Sequence, residues 1–202
     1  MRVVIDGNIG SGKSTQLDLL KTKGFKIFKE PIDDWPLELF YSDKSRWGFL
    51  LQMKILLSFA HAPQNHIFER SMLSSKDVFW WNLRANEIVT EAEDKIYKEW
   101  YHKVAWYPTV TIYLSSSPEK CYERIQSRNQ SGDVGVTLKY LQDIHMYYQI
   151  MGYRSSRMWS DSRFHRIYIE GKTPEQIHEE ILSVLKVENA MQLSDSDGSK
   201  MS

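Results

Sequence analysis

The 202-residue sequence has a single cysteine, no excess of charge of either sign and no long apolar run. Cys121 cannot form an internal disulfide, which is typical of a reducing compartment. The 26 basic residues balance the 26 acidic ones, whereas a nucleic-acid-binding protein normally carries a basic excess. No apolar run approaches the roughly 18 residues of a membrane span. We therefore expect a soluble cytoplasmic protein, in the host cytoplasm if the source is viral, with no nucleic-acid or membrane partner.

Short β-rich runs alternate with longer helical stretches, which predicts an α/β fold in which helices cover a parallel sheet. The length fits one domain. We predict this domain over residues 1–186, with a mobile lid loop at about 128–136 and a polar, disordered tail over 187–202. The predicted strands are Arg2–Asp6, Phe25–Lys29, His66–Phe68, Thr109–Leu114 and Arg166–Ile169, and the predicted helices span 14–23, 46–60, 72–86, 91–106, 118–128 and 174–185.

A phosphate-binding motif lies directly after the first predicted strand and directly before the first predicted helix. Residues 7–14 match G-x-x-x-x-G-K-[ST] in the context that this motif requires. Its glycines let successive backbone N–H groups face phosphate oxygens, while Lys13 supplies a positive charge and the Ser14 hydroxyl can ligate Mg²⁺. The motif predicts an ATP site formed by Gly7, Asn8, Ile9, Gly10, Ser11, Gly12, Lys13, Ser14 and Thr15.

Charged residues follow the second and third predicted strands. Glu30 precedes Pro31, which ends the second strand, and Glu69 and Arg70 close the third. The carboxyl ends of the strands in a doubly wound sheet open onto the ligand crevice. We therefore expect two carboxylates and a guanidinium near the phosphate-binding loop.

Five ordered segments resemble the deoxynucleoside kinase family: GNIGSGKST, EPIDDW, FYSDKSRWGFLLQ, FERSMLS, and YLSSSPEKCYERIQSR with LKYLQDIH. The resemblance is greatest to the insect multisubstrate and mitochondrial thymidine kinase branch, and it runs from about Val3 to Tyr148, more weakly to Leu185. It implies a P-loop NTPase fold with a five-stranded parallel sheet flanked by helices. It also implies transfer of a phosphoryl group from Mg·ATP to the 5′-hydroxyl of a deoxyribonucleoside, a salvage role in DNA synthesis, and a homodimer.

The resemblance implies roles for the charged residues at the strand ends. Glu30 matches the catalytic base, which orients the 5′-hydroxyl and accepts its proton. With an unperturbed pKa near 4.3, it would be ionised at neutral pH. Arg70 matches a charge partner of that base, and Glu69 would join Ser14 in holding Mg²⁺.

Two arginines before the predicted loop resemble the phosphate clamp of the family's lid. Arg124 and Arg128 are four residues apart and therefore share one helix face. Related kinases often have a further arginine where Gln130 stands here, so the clamp would be incomplete and turnover lower.

The resemblance also implies the residues that bind the nucleoside. The amide of Gln52 offers both a donor and an acceptor to the edge of thymine or cytosine. Trp35 and Phe79 would form apolar walls for the base. Tyr41 would hydrogen-bond the 3′-hydroxyl, with Asp133 as its partner.

Purine-preferring members carry an arginine and an aspartate where Phe59 and Ser75 stand, so we expect thymidine and deoxycytidine as substrates, with Phe59 narrowing the pocket.

Two other functions remain open. One is a nucleoside-monophosphate kinase such as thymidylate kinase, which shares the sheet and the P-loop. The other is a regulatory module that binds a nucleoside triphosphate without phosphorylating a small molecule.

Overall fold

The computed structural model describes residues 1–128, 133–158 and 163–188. Within them lie five strands, β1 (Val3–Gly7), β2 (Ile27–Phe28), β3 (Ile67–Glu69), β4 (Val110–Ser115) and β5 (Arg163–Tyr168). The α-helices are α1 (Lys13–Thr22), α2 (Leu37–Ser42), α3 (Lys44–Ala60), α4 (Met72–Ser74), α5 (Trp81–Ala85), α6 (Glu91–Val104), α7 (Pro118–Arg128), α8 (Leu138–Met158) and α9 (Pro174–Val187). A 3₁₀ turn covers Ile32–Asp34, and a π-helical segment, Ser75–Trp80, joins α4 to α5.

The strands form one parallel sheet in the order β2-β3-β1-β4-β5. Every residue of β1 and of β4 is buried, as expected for inner strands of a parallel sheet with helices on both faces. In the sheet, β2 and β3 lie on one side of β1, and β4 and β5 lie on the other, so the chain crosses over β1 between β3 and β4. The carboxyl end of β1 is therefore a switch point, where such sheets bind their ligands.

Alternate side chains of β1 pack into two cores on opposite faces of the sheet. Val3 and Ile5 pack with Leu17 of α1 and Ile181 of α9. Val4 faces the other core, which α3 and α6 cover with aromatic and aliphatic side chains. This two-sided burial holds the end of β1 rigidly between the layers, and the phosphate-binding loop begins there.

The predicted five-stranded α/β architecture is confirmed, and several predicted bounds were wrong. β2 has two residues instead of the five of Phe25–Lys29, because the chain pairs with β3 only at Ile27 and Phe28 before it turns toward Pro31. β5 begins at Arg163 rather than Arg166. The first residues of β5 are mostly polar, so the apolar pattern did not include them. In the structure, Arg163 and His165 both contact the carboxylate of Glu188.

The other strands and helices differ from their predicted bounds by three residues or fewer, since the pattern of apolar residues fixes the middle of an element better than its ends. The helix predicted over 72–86 is broken by the π-helical segment, and no bounds were predicted for α2, α8 or the 3₁₀ turn. Residues 129–132 of the predicted lid loop and 189–202 of the predicted tail lie outside the described residues. No described helix combines the length and apolar character needed to cross a membrane.

Candidate active site

The phosphate-binding loop joins β1 to α1 and encloses the side chain of Lys13. Gly10 adopts a φ of +82°, and a Cβ there would lie 2.5 Å from the carbonyl oxygen of Cys121 on α7. Glycine is therefore required for both conformation and space. The Lys13 ammonium donates to the carbonyl oxygens of Gly7 at 3.1 Å and Asn8 at 2.9 Å. Burial, with the nearby Arg70 guanidinium, lowers the pKa of Lys13.

Two oxygen-bearing side chains, Ser14 and Glu69, meet at the start of α1. The Ser14 hydroxyl donates to the Glu69 carboxylate at 2.6 Å, which joins the end of the loop to the end of β3. A hydroxyl and a carboxylate beside a phosphate site are the kind of ligands that Mg²⁺ takes while keeping several waters. The chemistry of Ser14 and Glu69 therefore suits Mg²⁺, the ion that the resemblance implies they would hold.

Glu30 and Arg70 form a buried ion pair between the ends of β2 and β3. Glu30 Oε1 lies 2.7 Å from Arg70 Nε, and the two side chains are only 8% and 9% exposed. Burial raises the pKa of Glu30 to about 7, and the Glu69 carboxylate adds to the rise against the opposing charges of Arg70 and Lys13. The expectation that Glu30 keeps an ordinary carboxyl pKa was therefore wrong: near neutral pH the group is poised between its two protonation states.

Arg70 is fixed by an unusual backbone conformation. Its φ is +65°, in the left-handed region that side-chain-bearing residues rarely adopt, and its N–H donates to the carbonyl oxygen of Ile5 at 3.0 Å. The guanidinium carbon lies 4.0 Å from the ring centroid of Phe79. Burial alone would lower the pKa of Arg70, but Glu30, Tyr148, Asp6 and Glu69 together outweigh it and the pKa is raised. Arg70 thus stays charged between Glu30 and an aromatic wall.

One cavity of about 990 Å³ connects the phosphate-binding loop with the interior face of α3. Glu30 and Lys13 both line it, so the end of β2 and the loop open into the same space. The predicted site residues that line the cavity are Ile9, Gly10, Gly12, Lys13, Ser14, Thr15, Glu30, Trp35, Tyr41, Gln52, Glu69, Arg70, Phe79, Arg128 and Asp133. Gly7, Asn8 and Ser11 belong to the loop behind this surface, and Arg124 is not among the lining residues.

The end of the cavity far from the phosphate loop is apolar, with one polar group lacking a partner. Gln52 on α3 is 4% exposed, and its buried side-chain oxygen has no hydrogen-bond partner among the described residues. Trp35, whose indole N–H donates to Ser58 Oγ at 3.1 Å, lines the same cavity with Phe79. A flat ligand with a donor on its edge would satisfy this oxygen.

The expectation that Phe59 narrows the pocket was wrong. Phe59 is fully buried and does not line the cavity. Its ring packs against Phe28 and Trp106 in the core, with centroid distances of 6.0 Å and 6.2 Å. Ser75 does line the cavity, and its hydroxyl donates to the Ser71 carbonyl oxygen at 3.0 Å. Of these two positions, only Ser75 faces the cavity, and its side chain is uncharged.

The described part of the predicted lid contains an ion pair. Arg128 Nε and Nη2 donate to the two carboxylate oxygens of Asp133 at 2.6 Å and 2.7 Å. The following Gly135 has a φ of +89°, and a Cβ there would lie 2.7 Å from Cβ of Tyr41. The lid end thus rests against the predicted sugar-binding tyrosine. Arg128 and Asp133, predicted for different ligands, contact each other, and Gln130 lies outside the described residues.

Sequence reasoning missed Asp6 and Tyr148. Asp6 is fully buried at the end of β1, and Tyr148 of α8 donates to its carboxylate at 2.6 Å. Asp6 could have been noticed as an acid at the end of an otherwise apolar strand. No sequence pattern predicts its contact with a tyrosine 142 residues away. Asp6, Glu30 and Glu69 together outnumber the cations Lys13 and Arg70 by one when all are ionised.

Comparison with known proteins agrees with this geometry. Residues 3–187 match the deoxynucleoside kinase family. Mitochondrial thymidine kinase 2 of Macaca fascicularis is 31% identical over 161 residues, 71% of this chain and 61% of its own length. This chain thus spans less than two thirds of that relative. Putative kinase protein 029R of Invertebrate iridescent virus 3 is 30% identical over 73% of this chain and 80% of its own length.

A solved structure extends the agreement to the whole fold. Deoxyadenosine kinase from M. mycoides with bound dCTP superposes with a TM-score of 0.81, at 26% identity, over 93% of this chain and 100% of its own. The family match covers nearly all of the residues that form the sheet, the phosphate-binding loop and the cavity. The chain belongs to the deoxynucleoside kinase family.

Proposed function

We propose that this protein transfers the γ-phosphoryl group of Mg·ATP to the 5′-hydroxyl of a pyrimidine deoxyribonucleoside, thymidine or deoxycytidine. The observation that carries the proposal is the single cavity that has a P-loop lysine at one end, the unpaired Gln52 amide at the other, and the Glu30–Arg70 pair lining it. Its volume of about 990 Å³ is at the upper end of ordinary ligand pockets. That space suits two substrates better than one.

Glu30 is the group best suited to accept the proton of the 5′-hydroxyl. A general base works best when its pKa lies near the working pH, and the pKa of Glu30 is raised to about 7. Arg70, held against Glu30 at 2.7 Å, keeps the carboxylate oriented and offers its charge to the transferred group. The hydroxyl oxygen would attack the γ-phosphorus from the Glu30 side, its proton would pass to the carboxylate, and the bond from the γ-phosphorus to the bridging oxygen would break to release ADP.

The donor end would hold ATP through backbone N–H groups of the loop, the N-terminus of α1 and Lys13. Ser14 and Glu69 would hold Mg²⁺, which supplies charge neutralisation to the phosphates when bound. Lys13 now donates to two loop carbonyls, so it would exchange at least one of these bonds for a phosphate oxygen.

Pyrimidine preference follows from the polar groups at the base end. The Gln52 amide can flip to match either thymine or cytosine. Ser75 offers no charge to a purine. The relatives are named for both kinds of base: thymidine kinase 2 and deoxycytidine kinase among the sequences, deoxyadenosine kinase among the structures. The uncharged base end favours the pyrimidines.

We also propose a homodimer and a role in deoxynucleoside salvage in the cytoplasm. Large apolar side chains are exposed on two helices that contact each other: Leu50 and Leu57 on α3, and Ile96 and Trp100 on α6. A second copy of this surface would cover them in a two-fold arrangement. The mass in solution tests this assembly.

Phosphoryl transfer from Mg·ATP to thymidine, deoxycytidine, deoxyadenosine and thymidine monophosphate tests the proposed activity. We expect transfer to the two pyrimidine nucleosides. The Glu30→Gln variant is expected to bind ATP normally and to lose 10²–10⁴-fold in kcat. Glu99→Gln, which alters an exposed acid of α6 paired with Lys103, is the control and should match the unmodified protein.

Each other outcome identifies a different function. Transfer to the monophosphate alone would favour a nucleoside-monophosphate kinase. ATP binding without transfer to any acceptor would favour a regulatory module. Unchanged kcat in Glu30→Gln would remove Glu30 from the mechanism.

A further inference from the structure

Asp6 is a buried carboxylate that the proposed chemistry does not use. It lies at the end of β1, one residue before the phosphate-binding loop, and is fully buried. A buried charge is costly unless hydrogen bonds or a counter-ion compensate it. Among the described residues, no ion pair within 4 Å includes Asp6, so hydrogen bonds must hold it.

Three donors from separate parts of the chain converge on this carboxylate. Oδ1 accepts from the Gly7 N–H at 2.9 Å and from the Tyr148 hydroxyl at 2.6 Å. Oδ2 accepts from the Ser71 hydroxyl at 3.3 Å. Asp6 therefore joins the start of the phosphate loop, the residue after Arg70 and the middle of α8.

The contact with Ser71 lies next to the strained Arg70. Ser71 caps α4, its hydroxyl accepting from the Ser74 N–H at 3.0 Å. On the other side of this turn, the Arg70 N–H donates to the Ile5 carbonyl oxygen at 3.0 Å. Ile5 and Asp6, at the end of β1, thus form hydrogen bonds with Arg70 and Ser71 respectively. A left-handed arginine persists only where its surroundings fix it in that way.

We propose that Asp6, oriented by Tyr148, is a positioning residue that fixes Arg70 against Glu30 in the phosphoryl-transfer site. The inference rests on the proposed kinase activity and assigns two residues that are not among those lining the cavity. Tyr148 suits this role because it is fully buried between Phe79 and Tyr113, with ring centroids 6.3 Å and 5.2 Å away. Its hydroxyl is therefore held in place at the carboxylate.

Two variants of nearly unchanged shape test the proposal. Tyr148→Phe removes the hydroxyl alone, and Asp6→Asn removes the charge. We expect kcat to fall about fivefold and about tenfold respectively, with each KM within about twofold, since the effect is on a group used in the transition state. The double variant should be no slower than Asp6→Asn, because both changes act on one network.

The control is Tyr113→Phe. Tyr113 is as buried as Tyr148 and stacks on it, yet no described hydrogen bond joins its hydroxyl to Asp6. This variant should keep the kcat of the unmodified protein. If Tyr148→Phe and Tyr113→Phe behave alike, the hydroxyl has no positioning role and the proposal is overturned.

The pH profile separates positioning from a merely structural role. The charged groups that act on Glu30 are Arg70, Glu69, Lys13 and Asp6, and the negative Asp6 raises the pKa of Glu30. Asp6→Asn also frees Arg70, whose charge lowers the pKa of Glu30 more than Asp6 raises it, so the acid limb of kcat should move to higher pH while its plateau falls. A limb that stays in place or moves to lower pH would mean that Arg70 still faces Glu30 in the variant, which would overturn the proposal.

Failure of this inference differs from failure of the proposed function. If the unmodified protein phosphorylates nucleosides and both variants keep its kcat, Asp6 is not a positioning residue although the kinase activity stands. If the unmodified protein transfers no phosphate, both proposals fall. Should Asp6→Asn not fold, an unchanged kcat in Tyr148→Phe alone would contradict the proposal.

Discussion

The two ends of the cavity differ in how complete they are without a ligand. At the phosphate end, Lys13 donates to two loop carbonyls, and Ser14 donates to Glu69. At the base end, the oxygen of Gln52 is buried with no partner among the described residues. At the phosphate end, Lys13 and Ser14, which line the cavity, thus have partners, and Ser11 Oγ, which has none among the described residues, lies behind that surface, whereas the base end leaves an unpaired oxygen on a residue that lines the cavity.

This difference has consequences for the energetics of binding. A nucleotide entering the phosphate end must replace hydrogen bonds that Lys13 already makes, so the gain per contact is reduced. A base entering the other end satisfies an oxygen that is otherwise unpaired, so the gain is larger. We therefore expect the base end to discriminate sharply among ligands and the phosphate end to accept any triphosphate of suitable length.

The largest expected effect is at the phosphate end. Lys13→Met keeps the length of the side chain and removes its charge, and we expect kcat/KM to fall about 10³-fold because a fixed charge on the transferred group is lost. Nucleoside affinity, measured through the fluorescence of Trp35 and the other tryptophans, should stay within about twofold. An equal loss of nucleoside affinity would contradict the separation of the two ends.

The parts of the site that could be predicted from sequence are those set by local chain geometry. The loop of residues 7–14 is contiguous, so its composition and its place between a strand and a helix identify it. Glu30 and Arg70 follow strands, and the parallel sheet brings strand ends together. Gln52 carries no such signal, since an amide inside an apolar helix is ordinary, and resemblance alone identified it.

The remaining features depend on contacts between distant residues. The raised pKa of Glu30 comes from burial among charged neighbours, which no local pattern reveals. Phe59 packs in the core because Phe28 and Trp106, 31 and 47 positions away, surround it. Tyr148 reaches Asp6 across 142 positions. The fold class, by contrast, follows from the alternation of strands and helices.

The second effect belongs to the base end and has opposite signs for binding and stability. Gln52→Leu removes the amide that would read the base, and we expect the nucleoside KM to rise about 100-fold. The same change removes an unsatisfied buried oxygen, so the free protein should gain about 1 kcal/mol, which raises Tm by about 2–4 °C for a chain of this size. Steady-state kinetics and thermal unfolding measure the two effects.

The matched control is Gln16→Leu. Gln16 is also a buried glutamine with an unpaired oxygen, but it lies on α1, where its amide N–H donates to the Pro174 carbonyl oxygen at 2.9 Å. This variant should leave the nucleoside KM unchanged and gain no stability, since it loses that bond. Equal changes in both variants would show that Gln52 acts through packing rather than recognition.

The smallest expected effect concerns the pH dependence and belongs to Glu30, which lies between the two ends. Because the pKa of Glu30 is raised to about 7, the carboxylate that accepts the proton is lost as the pH falls through 7. We therefore expect kcat/KM to drop about tenfold between pH 8 and pH 6, following the ionised fraction.

In Glu30→Gln the residual activity should lack this step, although titration of ATP itself is common to both proteins. Gln52→Leu should keep the step at the same pH, because its effect is confined to the base end. A step near pH 4.5 instead would mean that burial does not govern Glu30 while substrates are bound.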